Sequence, residues 1–175
     1  SAIQSITDLS FEVGSDELVR ALSDPSSRIR RRAAIALGRL GDEKSVAALL
    51  DHVRDHPDLV EDEMIDALGE SGSPSTAPVL IQFLESPRPQ VRRAAARALG
   101  MIDSVESISP LIEAASMTGD PDLRRSALQA LRRREVRLDG ALLADALLDE
   151  HTSVRIAAAE LVADLELDNT KSILH

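Results

Sequence analysis

The chain has 175 residues, 43% of them hydrophobic, which is enough apolar material for one folded domain. The absence of Cys excludes disulfides, thiolate chemistry and Cys-ligated metal sites, and a content of two Phe with no Trp or Tyr argues against sites built on large aromatic surfaces. The formal net charge of −10 argues against nucleic-acid binding, and the sequence contains neither a signal-peptide pattern nor an apolar run long enough to span a membrane.

A repeated pattern of small and apolar residues organises the chain. Apolar residues, here called position 0, recur at intervals of 31 or 32 residues: Ile29, Val60, Val91, Leu123 and Val154. Eight positions after each comes a second apolar residue: Leu37, Leu68, Leu99, Leu131 and Val162. Positions 0, 4, 7, 8 and 11 fall on one side of a helix, so the pattern predicts stacked copies that bury this side against their neighbours.

The copies can be delimited along the chain as units of one helix pair each. They comprise about residues 16–46, 47–76, 77–108, 109–137 and 138–168, with partial copies at 1–15 and 169–175. The whole chain is therefore predicted to be a single repeat domain, residues 1–175, and a window from a longer array. Because both ends fall inside a copy, apolar residues there are predicted either to pair with a neighbouring molecule, which would be end-to-end self-association, or to fray: Ile3, Ile6, Ile173 and Leu174.

Each copy is predicted to fold as two antiparallel helices. In copy one these span about 16–22 and 28–40, and Gly41 suits a left-handed cap after the second helix. Pro78 and Pro110 fall in the first turn of the first helix in copies three and four, where a missing N–H costs nothing. The predicted core comprises Leu18, Leu22, Ile29, Leu37, Leu49, Val53, Val60, Leu68, Leu80, Leu84, Val91, Leu99, Ile112, Leu123, Leu131, Leu143, Leu147 and Val154.

The helix pair, the Asp-Pro turn and the apolar-Arg-x-Ala-Ala run that closes in Ala-Leu-Gly, best seen over 91–100, resemble a HEAT repeat. Specifically, they resemble the short HEAT-like repeat named after phycobilisome lyases, over about residues 16–168. The resemblance implies a right-handed α-solenoid in which the second helices line the concave side and which serves mainly as a protein-binding scaffold. Copies two and four depart from the pattern, because Glu61 replaces the usual Arg and Arg132 replaces the Gly.

Four arginines follow position 0 directly: Arg30, Arg92, Arg124 and Arg155. Asp24 and Asp149 lie in the turns six residues before two of them. The resemblance implies that such residues form an Asp–Arg ladder between adjacent copies, so we assign these arginines to the structure rather than to ligand binding.

Candidate chemistry is sparse in this sequence. His52 and His56 are four residues apart, as helical metal ligands are, but the position of His52 holds Ala or Phe in other copies, so His52 is predicted to be a half-buried face residue. No phosphate loop, nucleophile elbow or acid–base constellation is present. The sequence therefore predicts no catalytic, cofactor or metal site, no cofactor, and no enzyme.

Positions 2 and 6 of the second helices lie opposite the buried side and are predicted to carry recognition. The charged and amide residues at these positions are Arg31, Asp62, Asp66, Arg93, Arg97, Arg125, Gln129 and Glu160, with Ile35 and Ile156 completing the line. The sign of the charge changes from copy to copy, which solubility alone does not require. We expect an acidic protein or peptide segment along copies three and four, with any basic portion directed at copy two.

The function predicted from these observations is a non-catalytic, cytoplasmic scaffold for protein–protein interaction on the concave face. One alternative, which the family name suggests, is part of a chromophore lyase or a lyase-like chaperone. The scarcity of aromatic residues to line a chromophore pocket argues against it. A second alternative is binding of a nucleic-acid backbone through the Arg-rich copies, which salt would suppress.

Overall fold

The computed structural model describes the backbone of residues 15–173 and the side chains of residues 16–164. This part of the chain contains ten α-helices and no strand. The helices are α1 (Ser15–Ala21), α2 (Ser27–Leu40), α3 (Glu43–Asp55), α4 (Asp62–Glu70), α5 (Ala77–Phe83), α6 (Pro89–Leu99), α7 (Ile108–Ser116), α8 (Pro121–Arg133), α9 (Gly140–Leu147) and α10 (Thr152–Ile173). Short 3₁₀ segments lie at Pro57–Leu59, Pro74–Thr76 and Val105–Ser107. The predicted all-α solenoid of HEAT-like helix pairs is confirmed.

Local sequence signals account for the ends of the helices. Asp42 accepts a hydrogen bond from the backbone N–H of Ser45 (2.9 Å) before α3, and Asp120 accepts one from Leu123 (3.0 Å) before α8. Pro89 and Pro121 occupy the first turns of α6 and α8, where their fixed φ suits a helix start. Gly41 ends α2 with φ of 61°, as the sequence predicts.

The even-numbered helices α2, α4, α6, α8 and α10, here called the second-helix layer, lie in close backbone contact one after another. Contacts between successive odd-numbered helices are far fewer. A curved stack brings its inner elements together and spreads its outer ones. The close contact of the second-helix layer agrees with the concave position that the resemblance to HEAT repeats implies for these helices.

Small residues bring the second helices this close. A Cβ built on Gly38 would lie 2.5 Å from the carbonyl oxygen of Ala67, and one on Gly69 would lie 2.6 Å from the Cα of Ala98. Gly100 repeats the arrangement against Ala130, at 2.8 Å from its Cα. The Gly of one copy thus packs on the Ala of the next. At the joint between copies four and five the Gly position holds Arg132, as noted from the sequence.

The repeat-defining apolar positions form the core, and Leu37, Leu68, Leu99, Leu123 and Leu131 are all completely buried. Ile29 and Val162, in the first and last copies, are only half-buried. Ile112 and Leu143 are also half-buried.

The core prediction is wrong for Leu147, which is 38% exposed at the end of α9, where Ala146 takes the buried position. Helix α10 continues without a turn through the boundary that the sequence places at 168 and 169. Ile3, Ile6 and Leu174, invoked for self-association, lie outside the described residues, and of Ile173 only the backbone is described.

Candidate functional site

In copies one, three and four, the arginine after position 0 ties its own turn to the next copy, whereas Arg155 of copy five contacts its own turn (2.7 Å to the carbonyl oxygen of Asp149). Arg92 donates from Nη1 to the carbonyl oxygen of Ser86 in its own turn (2.8 Å), and its Nε and Nη2 donate to the carboxylate of Asp120 in copy four. Arg124 likewise donates to a carbonyl oxygen of its own turn (2.8 Å) and pairs with Asp149 of copy five (2.7 Å). The ladder implied by the resemblance is present, and it holds turns and joints together.

The joints on either side of copy two are made by different groups. Glu61 stands where the other copies have Arg, and its Oε1 accepts a hydrogen bond from Arg30 of copy one (2.6 Å). Arg88, in the turn of copy three, reaches back to the carbonyl oxygens of Val60 (2.8 Å) and Pro57 (3.1 Å). Sequence reasoning missed this role of Arg88 because its partners precede it by 28 and 31 residues.

The carboxylates of this ladder are held in their charged form. Burial by itself would raise the pKa of Asp120, but hydrogen bonds from Arg92 and from the Leu123 backbone outweigh it, so the pKa is lowered. Burial opposes ionisation of Asp149 in the same way, and the hydrogen bond from the His151 backbone and the charge of Arg124 lower its pKa. Both carboxylates therefore stabilise the folded chain above the acidic range.

The predicted partner-binding residues of copies three and four lie together and pair with acidic neighbours. Arg93 donates from Nη1 to Oδ2 of Asp122 (2.8 Å), and Arg125 lies with its Nη2 3.3 Å from the other oxygen of the same carboxylate. Arg97 reaches back to copy two, where its Nη2 lies 2.8 and 3.1 Å from the two carboxylate oxygens of Asp66. Asp122 was not among the predicted site residues, although it links two of them.

The remaining predicted residues are distributed toward the ends of the layer. Arg31 contacts Glu61 (3.1 Å) and Glu63 (2.8 Å), and Glu160 accepts a hydrogen bond from Arg132 (2.6 Å). Gln129 is exposed on α8. Burial raises the pKa of Asp62, and the neighbouring Glu63 raises it further. The structure thus brings opposite charges together across adjacent copies, and a partner-binding role for these residues stays a prediction.

An open pocket of about 430 Å³ lies on the concave side at copies one and two. It is lined by Arg28, Arg31, Arg32, Ile35 and Glu63. Four of these residues come from α2 at spacings i, i+3, i+4 and i+7, which place their side chains on one face of that helix. Sequence reasoning named Arg31 and Ile35 but missed Arg28 and Arg32, although this spacing is visible in the printed sequence.

His52 is more buried than the sequence predicts. Its side chain is 7% exposed, and the ring centroids of His52 and His56 are 4.9 Å apart. Burial lowers the pKa of His52, and the charges of His56 and Arg30 lower it further. Among the described residues, no group of three His, Cys, Asp or Glu side chains is placed to hold a metal ion.

Within residues 15–173, no helix is both long and apolar enough to cross a membrane.

Comparison with known families identifies the fold. A family model described as HEAT repeats matches residues 1–63 and 57–132. The chain therefore belongs to the HEAT-repeat family.

The individual proteins that resemble the chain include two lyase subunits and a hydroxylase. The chain is 28% identical to phycocyanobilin lyase subunit alpha of Microchaete diplosiphon over a 209-residue alignment, covering 91% of this chain and 66% of that protein. It is also 28% identical to the corresponding subunit of Pseudanabaena tenuis, covering 66% of this chain and 61% of the relative. A shorter match at 36% identity, covering 47% of this chain, is to deoxyhypusine hydroxylase of Schizosaccharomyces pombe. The chain thus spans less than two thirds of the length of these two lyase subunits.

Among solved structures, the chain resembles one from the complex of CpcE and CpcF of phycocyanin lyase from Nostoc. The TM-score is 0.69 at 26% identity, and the superposition covers 93% of this chain and 69% of the other. Sequence and structure comparisons therefore point to the same group of relatives.

These relatives contradict the prediction of a non-catalytic scaffold and the prediction that the protein is not an enzyme. The proteins that match 91% and 93% of the chain are lyase subunits, and they favour the chromophore-lyase alternative. The physical error was to treat a lack of aromatic residues as a lack of a ligand pocket. The pocket beside α2 is lined by three arginines, Ile35 and Glu63, without an aromatic side chain.

Proposed function

We propose that this chain is part of a bilin-lyase subunit, whose substrate is phycocyanobilin or a related linear tetrapyrrole. One observation carries the proposal: the similarity to lyase subunits extends along nearly the whole chain, in sequence (91%) and in structure (93%). A match confined to one helix pair would reflect only the common repeat.

The roles that suit the described residues are binding and orientation. A linear tetrapyrrole is a long, flexible, largely apolar molecule with two propionate carboxylates. The second-helix layer offers a continuous concave surface whose helices are fixed by the glycine contacts and by the ladder of buried ion pairs. A rigid surface of this kind limits the conformations of a flexible ligand, which is the contribution that a protein makes by positioning.

We further propose that the chain acts together with a second protein. The similar solved structure is a complex of two lyase subunits, which supports a protein partner. The finer proposal is that the partner presents an acidic edge to copies three and four. Arg93 and Arg97 support it, because their side chains remain 31% and 42% exposed although each is paired with an Asp. A guanidinium has five N–H donors and can keep its internal partner while it contacts a second carboxylate.

The experiment is an absorption titration of phycocyanobilin with the purified chain. Binding to a folded surface selects one chromophore conformation, so we expect the long-wavelength band to change in position and intensity and to saturate with added protein. The matched control is the same chain unfolded in urea, against a urea-only spectrum of the pigment. Identical spectra with folded and unfolded chain would contradict the proposal.

A further inference from the structure

The arginines of the pocket beside α2 are not equivalent. Residues 28–32 contain four arginines, and three of these, Arg28, Arg31 and Arg32, line the pocket. Arg30 is used by the ladder, because it donates to Glu61 (2.6 Å) and to a carbonyl oxygen of its own turn (3.1 Å). Arg31 is held between Glu61 (3.1 Å) and Glu63 (2.8 Å). These two guanidinium groups therefore serve the joint between copies one and two.

Arg28 and Arg32 differ from their neighbours in having no hydrogen bond from the side chain and no ion pair within the part of the chain that the structure describes. Both are exposed and both line the pocket. They are one helical turn apart on the same face of α2, so their guanidinium groups can reach two separate anionic groups at once. The first turn of α2 contains no acidic residue that would neutralise them.

The remaining walls of the pocket restrict which anion fits. Ile35 provides an apolar surface one turn beyond Arg32, and it is half-buried. Glu63 closes the opposite side from α4, and Asp62 lies next to it in the chain. A densely charged polyanion such as nucleic acid would meet these carboxylates, whereas a mainly apolar ligand with isolated carboxylates would not.

We propose that this pocket binds the propionate carboxylates of a linear tetrapyrrole on Arg28 and Arg32, with the apolar body of the ligand over Ile35. The inference rests on the proposed function for the class of ligand. It adds the place and the residues, which the comparisons do not supply. Arg31 is a positioning residue here, because its two glutamate partners fix the wall of the pocket.

The test compares the free acid of phycocyanobilin with its dimethyl ester, in which both propionates are uncharged, on wild type and on Arg28→Gln/Arg32→Gln. We expect wild type to bind the acid about tenfold or more tightly than the ester, the effect of one or more charge-assisted hydrogen bonds. The pocket variant should bind acid and ester equally and at the affinity of wild type for the ester. The matched control is Arg39→Gln/Arg133→Gln, which removes two charges from exposed arginines outside the pocket and should discriminate as wild type does.

The outcomes separate this inference from the proposed function. Tight binding of the acid by wild type, with the same preference for acid over ester in the pocket variant, would overturn the pocket and leave the bilin-lyase proposal standing. Failure of wild type to bind either form would overturn both. Circular dichroism of the variants confirms that a change in affinity does not come from unfolding.

Discussion

The second helices of copies one and three, α2 and α6, are both rich in arginine but use it differently. Within the described residues, Arg92, Arg93 and Arg97 of α6 each pair with an aspartate of a neighbouring copy. In α2, Arg28 and Arg32 occupy the positions that hold Gln90 and Ala94 in α6, and Ala94 is completely buried. The number of arginines on a solenoid face therefore does not measure the capacity of that face to bind anions. The acidic residues supplied by adjacent copies decide which arginines have all their N–H donors free for a ligand and which share them with an internal partner.

The largest difference in stability between variants of the two helices is expected from substitution of their apolar residues. Leu99 of α6 is completely buried, so Leu99→Ala should lower the free energy of unfolding by roughly 2–5 kcal/mol through lost burial and the residual cavity. Ile35→Ala on α2, at a half-buried pocket residue, should cost less than half as much. Urea denaturation of both variants measures the difference. Equal losses would mean that Ile35 belongs to the core rather than to a pocket wall.

Substituting the glycines that pack on the next second helix should lower stability to a similar extent in copies one and three. This tests whether both backbones lie equally close to the next copy. A Cβ on Gly38 or Gly100 would lie 2.5 to 2.8 Å from backbone atoms of the next second helix, so Gly38→Ala and Gly100→Ala should each destabilise by about 1–3 kcal/mol despite the higher helix propensity of Ala. Gly140→Ala is the control, since nothing lies within 4 Å of a Cβ there. A rise in thermal stability at Gly38 or Gly100 would contradict the close approach.

The paired arginines of α6 should make the free energy of unfolding depend on pH in the acidic range. Asp120→Asn keeps the helix cap but removes the charge that faces Arg92, so it should cost about 1–2 kcal/mol at pH 7. Because the folded-state pKa of Asp120 lies below its ordinary value, the wild-type advantage should persist above about pH 4 and shrink as pH falls through the folded pKa. Denaturation curves at pH 7 and pH 3 test this. Asp51→Asn, at a carboxylate that is 73% exposed, should change neither curve.

The smallest effect on stability is expected for Arg28 and Arg32, which have no side-chain partner among the described residues. Arg28→Gln/Arg32→Gln should change the free energy of unfolding by less than about 0.5 kcal/mol, because exposed side chains away from packing and pairing contribute little. Arg93→Gln/Arg97→Gln should cost more, since each loses an aspartate partner. Thermal denaturation in low salt compares the two double variants. A larger loss for the α2 pair would show that Arg28 and Arg32 serve the fold.

The sequence predicts the repeat register well because the register follows from the spacing of apolar residues within each copy. Val91, Leu99 and the cap at Gly41 follow from helical spacing and turn chemistry within one copy. The pairing of Arg97 with Asp66, or of Arg88 with the Val60 carbonyl, depends on the distance between copies and on side-chain reach, which no single copy contains. Only the contribution of Glu63 to the pocket has the same explanation, since it comes from the next copy; the spacing of Arg28, Arg32 and Ile35 lies within one helix and was visible in the sequence.

The most direct measurement of the central claim is the affinity of phycocyanobilin for the two arginine double variants side by side, at equal ionic strength and with both shown to be folded. We expect Arg28→Gln/Arg32→Gln to weaken binding by about tenfold or more and Arg93→Gln/Arg97→Gln to leave it within about twofold of wild type. Equal weakening in both variants, or weakening only in the α6 pair, would contradict the assignment of the ligand carboxylates to copy one.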